Sequence, residues 1–458
     1  MTIGALLLAA VCFGLAYTVS PLTVLFAITV PVLFWFTGRG LDGPERRRVL
    51  AVLALAVLVR VVAIGLVLLT TDPARQHYNA LVPDAHAAIA RTWWIRNLWL
   101  GVTIGPQYTD AAYNQYGASP YWYVLAAIQV IVGASPYGLN FVSTSAFLAG
   151  AVILYRLARE SYGPTAALIG FTVLVFWPTT LAWSVATLKE SMQFGLTAVL
   201  FACAVHALRG RTGVARVAAL AGAVAAIAAL DGLRSGALAI AGTGVAAGIV
   251  LRVLTVRRTL ALATMVVVAL SAAALLSRPA TQDRLMVLLR ESADRQLGHV
   301  ASFGYGYKVL DQRFYSVGRT AIASMSEPEA FRYLVRATVA FFVVPAPWQI
   351  TSNAGLGLLP QQLLWYALAV FSVPGIVVGL RRDPLVTWIL VAYLAAAIAV
   401  IAPNSGNIGT LVRHRDTVMP ALVWLSALGL LSTMVRFASR RQPRLDGAFG
   451  GPLRTRVV

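Results

Sequence analysis

Apolar residues in this chain run on in long blocks, without the alternation of barrel strands. Blocks of about 20 such residues recur along it, the length a helix needs to cross ~30 Å of hydrocarbon. Spans are predicted at 3–18, 20–37, 49–71, 138–157, 164–185, 190–208, 214–231, 235–252, 258–276, 359–380, 384–402 and 417–436. The first two meet at Ser20-Pro21 and read as a hairpin. A cleaved signal peptide is the competing reading of the first, but it lacks a charged start and a small-residue cleavage site. Two polar segments, 72–118 and 277–330, interrupt the series. Residues 120–132 are apolar but too short to cross, which suits an interfacial or re-entrant helix. Residues 331–347 are broken by Arg332, Arg336, Pro345 and Pro347. The expected fold is all-α: a polytopic transmembrane bundle of about twelve spans with outer juxtamembrane helices, because backbone inside a bilayer must satisfy its own hydrogen bonds. Three regions are expected. They are a hairpin and basic loop over 1–48, a core over 49–436 with outer loops 72–136 and 277–358, and a basic tail over 437–458.

Composition agrees with a membrane protein. Hydrophobic residues make up 59% and charged residues 12%, against about 25% charged in soluble domains, and the mean hydropathy is +0.76. The net charge of +20 would suggest nucleic acid in a soluble chain. Here the arginines lie in short loops between apolar runs, so they orient the protein, and no nucleic-acid partner is expected. The loops near 39–48, 156–163, 209–216, 252–258 and 381–383, with Arg436 and the tail, hold 20 arginines and five of the 17 acidic residues. Placing them all in the cytoplasm requires that 120–132 and 331–347 do not cross. The other twelve carboxylates (17 less five) then emerge on the opposite face. Cys12 and Cys203 both lie in apolar runs, which argues against a disulfide framework or a metal cluster.

That outer face carries the candidate chemistry. Asp84, in Val82-Pro83-Asp84-Ala85-His86, is placed to act as a general base toward a hydroxyl, with His86 assisting it or lining the loop; a solvated acid or helix cap is the plain alternative. Lys189-Glu190 ends the apolar run at Trp183–Leu188, where charge needs solvent or a partner. Lys189 could hold a phosphate as a point charge, or simply snorkel. Arg234, in the turn Asp231-Gly232-Leu233-Arg234, could reach a phosphate oxygen or pair with Asp231. Arg413, His414 and Arg415, with a neutralising Asp416 beside them, form a cationic cluster on the face where positive charge is disfavoured; a phosphate-bearing ligand would demand it, and simple loop solvation is the plain alternative. Arg60 lies mid-span and needs a partner, functional or structural. Trp93, Trp94, Trp99, Tyr108, Tyr113, Tyr116, Tyr121, Trp122 and Tyr123 crowd the first outer segment, either as an interfacial belt or for stacking on a sugar ring. No Walker loop, dinucleotide fingerprint or His/Cys ligand array is present, so cytosolic ATP hydrolysis has no support.

The order of these features resembles the C-type glycosyltransferase superfamily, polytopic enzymes that use lipid-phosphosugars. The third span followed by Pro83-Asp84 resembles its first core helix and acidic motif. Ser119-Pro120-Tyr121-Trp122-Tyr123 and the apolar run to Gly133 resemble its second juxtamembrane helix. Tyr155-Arg156-Leu157-Ala158-Arg159 with Tyr162-Gly163 resembles the following cytoplasmic turn. Trp177-Pro178, the Lys189-Glu190 end, Pro345-Ala346-Pro347-Trp348 and the Arg413-His414-Arg415 turn resemble bacterial polysaccharide-assembly members. The likeness covers roughly 49–436, the first two spans standing as an addition. Where the family often has a carboxylate pair and a tyrosine, this chain has Asp84-Ala85-His86.

The resemblance implies an inverting glycosyltransferase in the bacterial inner membrane. Its site would face outward, with a polyprenyl-phosphate sugar as donor and a glycan, lipid or protein hydroxyl as acceptor. Asp84 and His86 would be catalytic. Lys189, Glu190, Arg234, Arg413, His414 and Arg415 would bind substrate. No cofactor is called for; a divalent cation would be compatible with the family but gains no support from the ligand pattern. The alternatives are a polymerase or ligase using lipid-pyrophosphate oligosaccharide, a lipid-linked sugar transporter, and a scaffold of a wall-assembly complex. A transporter would be expected to show inverted repeats and midplane polar groups, which the sequence does not display.

Overall fold

A computed structural model describes residues 3–71, 83–113, 120–135, 137–234, 236–255, 277–302, 305–350 and 353–441, with scattered positions between 256 and 276. The first helices are α1 (Ile3–Val19), α2 (Thr23–Gly38), α3 (Gly43–Leu69), α4 (Pro83–Trp99), α5 (Pro106–Tyr113) and α6 (Pro120–Val132). Next come α7 (Gly138–Tyr162), α8 (Pro164–Val175), α9 (Pro178–Ser184), α10 (Lys189–Arg209), α11 (Gly213–Leu233) and, after a π-helical turn, α12 (Thr243–Leu254). The second half holds α13 (Pro279–Ala301), α14 (Gln312–Val317), α15 (Arg319–Ile322), α16 (Glu327–Val343), α17 (Asn353–Arg382), α18 (Pro384–Ile401), α19 (Ile408–Arg415) and α20 (Met419–Arg441). Every expected span has a helix beneath it except 258–276, which falls largely outside the described residues. So do 72–82 of the first outer loop and 442–458 of the tail. Among the described residues, seven helices are long and apolar enough to cross a membrane, and an eighth if α8 and α9 count as one span bent by 62°. Pro120–Val132 is apolar but shorter than a crossing and α16 is not among the crossing helices, as expected; Thr23–Gly38 and Leu238–Leu254, which stand where full spans were expected, also fall short of a crossing length, so the described residues give fewer than the twelve expected spans. The chain is a polytopic helical bundle.

Local sequence sets the helix boundaries. Prolines occupy the first turn of α3, α8, α9, α13, α16 and α18, where an amide N–H would have no helical partner. Gly163 joins α7 to α8 at φ 94°, in the region glycine enters without a Cβ penalty. Small residues then bring spans together, as they must where lipid supplies no hydrophobic drive. A Cβ on Gly375 of α17 would meet the carbonyl oxygen of Leu425 in α20, and one on Gly429 would meet that of Phe371. Those two helices form the most extensive pair in the bundle.

Arg60 is fully buried in α3, and no described carboxylate pairs with it. Its Nη2 donates to the carbonyl of Val175 (2.9 Å), its Nε to Ser184 Oγ (2.9 Å) and its Nη1 to the carbonyl of Ala56 (3.1 Å). The guanidinium also lies 4.8 Å from the Phe147 ring centroid. The bend at Pro178 frees carbonyls at the end of α8, and Arg60 binds one of them. It is the staple of a broken span.

The two ends of the bundle differ chemically. At one end the arginine-rich loops contact each other: Arg159 donates to both oxygens of Glu45 (2.6 and 2.8 Å), Arg209 to Asp383 (2.5 Å) and Arg382 to the carbonyl of Tyr162 (2.7 Å). The 21-residue α10 leads from Arg209 to Lys189, a rise of about 30 Å, at the other end. There α4–α6 form one layer across the end of the bundle and α13–α16 another. The second is sewn down by an isolated antiparallel bridge between Gly306 and Asn407. Tyr307 N–H donates to the Gly406 carbonyl and Ile408 N–H to that of Tyr305, both at 2.9 Å.

Candidate functional site

Four elements deliver charged side chains to this end. Asp84 lies in the first turn of α4, where the helix dipole favours a carboxylate. Lys189 and Glu190 open α10, Arg234 caps the end of α11, and Arg413 and His414 lie in the last turn of α19. Arg413 joins them. Its Nη1 donates to Asp84 Oδ2, and its Nε and Nη2 meet Glu190 Oε1 at 2.7 and 2.6 Å. Asp84 is 64% exposed, Arg413 23% and Glu190 11%, so this ion triad grades from water into protein. Among the described residues, Glu190 Oε2 is buried without a hydrogen-bond partner.

Lys189 lies within electrostatic range of Glu190, Arg234, Arg413 and Asp84. Burial pulls the Arg234 guanidinium below its usual value, partly countered by Glu190. Arg234, Arg413 and Lys189 lie within electrostatic range of His414, and its Nδ1 lies 3.3 Å from Ser405 Oγ. Lys189, Arg234 and Arg413 thus stand close to Asp84 and Glu190, an arrangement suited to receiving an anion. Among the described residues, no three His, Cys, Asp or Glu side chains group to hold a metal.

His86 follows Asp84 by two positions on α4 and is half-buried. Arg415 follows Arg413 by two positions on α19, about 200° around the helix, and points away from it. Its Nε donates to the carbonyl of Phe341 (2.8 Å), its Nη2 to that of Val344 (2.5 Å) and its Nη1 to Gln362 Oε1 (2.9 Å). The ring centroid of Trp365 lies 4.8 Å from it. Arg415 therefore caps the end of α16. The aromatics of the first outer segment largely pack on one another, Trp94 on Tyr108 (5.0 Å between centroids) and Trp99 on Tyr123 (6.1 Å).

Beside the cluster lies a cavity of about 30 Å³ lined by Trp183, Glu190, Ser191, Gln193, Arg413 and Asp416. One water needs about 10–15 Å³ by the same measure, so it holds about two. Sequence reasoning passed over Trp183 and treated Asp416 only as a neutralising neighbour. It missed His299, whose Nδ1 is buried without a partner. For Asp416 the signal was available, since a carboxylate at the start of an apolar run must find donors.

No protein-family model matches this chain, and no curated protein matches it. Solved structures similar to it include ArnT from Cupriavidus metallidurans in the apo state, 15% identical with a TM-score of 0.47, over 86% of this chain and 61% of that one. ArnT from the same organism bound to undecaprenyl phosphate is 16% identical with a TM-score of 0.45, over 86% of this chain and 63% of that one. This chain therefore spans less than two thirds of the length of those structures.

Proposed function

We propose that this protein is a membrane glycosyltransferase that moves a sugar from a polyprenyl-phosphate donor to a hydroxyl acceptor at the extracytoplasmic face of the bacterial inner membrane. One observation carries the reading. Asp84 and Glu190 share Arg413, with Lys189, Arg234 and His414 around them, at the end of the bundle opposite the arginine-rich loops. The positive-inside rule assigns those loops to the cytoplasm.

In this reading Asp84 takes the proton of the acceptor hydroxyl, its exposure leaving it open to an incoming group. The acceptor oxygen attacks the anomeric carbon from the side opposite the phosphate and inverts it. The bond from that carbon to the phosphate oxygen breaks, and the phosphate leaves with the electron pair. Lys189, Arg234 and Arg413 stabilise the charge that develops there. Glu190 holds Arg413 in place between bond making and bond breaking.

The test is an Asp84→Asn variant, inserted normally and supplied with a lipid-linked sugar. Transfer should fall by about 10²–10⁴, the range for a lost general base. Undiminished transfer removes Asp84 from that role.

A further inference from the structure

Asp416 follows the Arg413–Arg415 stretch and is 8% exposed. A carboxylate withdrawn from water this far requires hydrogen-bond donors. It accepts from Thr179 Oγ1 at 2.7 Å and from Trp183 Nε1 at 2.6 Å. The Thr179 hydroxyl in turn accepts from Gln361 Nε2 at 3.1 Å. Among the described residues no cation forms an ion pair with Asp416, and Arg415, its chain neighbour, is committed to the end of α16. Asp416 is thus held by neutral donors, and the shortest of these bonds fixes an indole.

That indole faces the cluster. The Arg413 guanidinium lies 5.7 Å from the Trp183 ring centroid, within the ~6 Å reach of a cation–π contact. Trp183, Asp416, Arg413 and Glu190 line one cavity. A continuous chain therefore runs from Gln361 through Thr179, Asp416 and Trp183 to Arg413, and from Arg413 to Asp84 and Glu190.

We propose that Asp416 is a positioning residue: it fixes the Trp183 indole, and the indole face aims the Arg413 guanidinium between Asp84 and Glu190. Its effect on turnover rests on the glycosyltransferase reading above; its effect on Arg413 does not. Asp416→Asn preserves shape, but its amide offers one acceptor and one donor to groups, Thr179 and Trp183 among them, that all donate. Trp183→Phe keeps an aromatic face and removes the anchoring N–H.

The experiment has two readouts. The first is transfer from a lipid-linked sugar. Each single variant should lower kcat about tenfold, yet the double variant should fall little below either one, the signature of coupled residues. In an Arg413→Lys background, Asp416→Asn should cost less than about twofold, because its target is gone. Equal losses in every background would mean a general structural role and overturn the proposal. The second readout needs no activity: the rate at which phenylglyoxal modifies Arg413 in the full-length protein, followed by peptide mass spectrometry. Release of Arg413 should raise that rate several-fold in Asp416→Asn and in Trp183→Phe, the latter serving alone if the former does not insert. An unchanged rate in the inserted variants refutes the positioning claim. Faster modification in a protein that transfers no sugar would uphold it and sink the enzymatic reading.

Discussion

Replacing Arg413 with glutamine removes the cation that two carboxylates share. The cost divides unevenly. Asp84 is 64% exposed, and an ion pair in water contributes about 0–1 kcal/mol. Glu190 is 11% exposed and its second oxygen has no donor. Removing one partner of a buried pair costs about 3–5 kcal/mol; with Arg413 itself 23% exposed, the low end of that range applies. Stability should therefore fall by about 3 kcal/mol, nearly all of it through Glu190. Restoring neutrality should recover much of this, so Arg413→Gln with Glu190→Gln should be more stable than Arg413→Gln alone. Activity should respond separately. Loss of one preorganised group at a developing anion costs about 10²–10³ in kcat. Arg413→Lys keeps the charge but not the fork that spans two partners, and should lie between wild type and glutamine. The assay is sugar transfer in proteoliposomes, paired with thermal unfolding and with binding of the polyprenyl-phosphate product. If Arg413→Gln transfers sugar within threefold of wild type and binds the product equally well, Arg413 does not stabilise the leaving phosphate.

Other perturbations test the frame around the site. Arg60→Ala strands the Val175 carbonyl and opens a void at the bend, so it should cost about 2–5 kcal/mol in thermal unfolding; a cost below 1 kcal/mol would refute its role as a staple. Arg415→Gln should destabilise α16 in hydrogen exchange while leaving donor affinity unchanged, whereas loss of donor affinity with α16 intact would return Arg415 to the substrate site. Gly429→Ala should destabilise by about 1–3 kcal/mol or more through overpacking at the α17–α20 crossing, and normal thermal stability would contradict that close approach. Glu329, held by Arg313 and the Ser326 backbone, is lowered from 4.5 to about 2. A carboxyl with a depressed folded-state value stabilises fully above its unfolded value and loses that contribution as pH falls through the folded one. Protection factors over 311–330, corrected for the intrinsic pH dependence of exchange, should thus be steady above pH 4.5 and fall between there and about pH 2; a loss confined to pH 5–7 would point to another group.

Much of the bundle was legible because span length and loop charge are local signals. The meeting of Asp84 with Arg413 was legible only as a shared face, since hydropathy orders segments by depth and says nothing of their neighbours. Arg413 and Arg415 looked equivalent because Arg413-His414-Arg415 read as a turn. Once Ile408–Arg415 is a helix, two positions apart means opposite directions. Arg60 was visible as a buried charge, but its partner is a backbone carbonyl that exists only because Pro178 breaks the helix. The Asp416–Trp183 bond joins residues 233 positions apart, and no local pattern encodes it.

Sidedness is the claim on which the shared reaction centre depends. Single cysteines at Ala87 and Thr410, in a chain with Cys12 and Cys203 replaced, can be challenged in intact cells with a membrane-impermeant maleimide. Both should label without permeabilisation, while cysteines at Arg46 and Arg382 should label only after it. Ala87 and Thr410 labelling from opposite sides of the membrane would contradict the account.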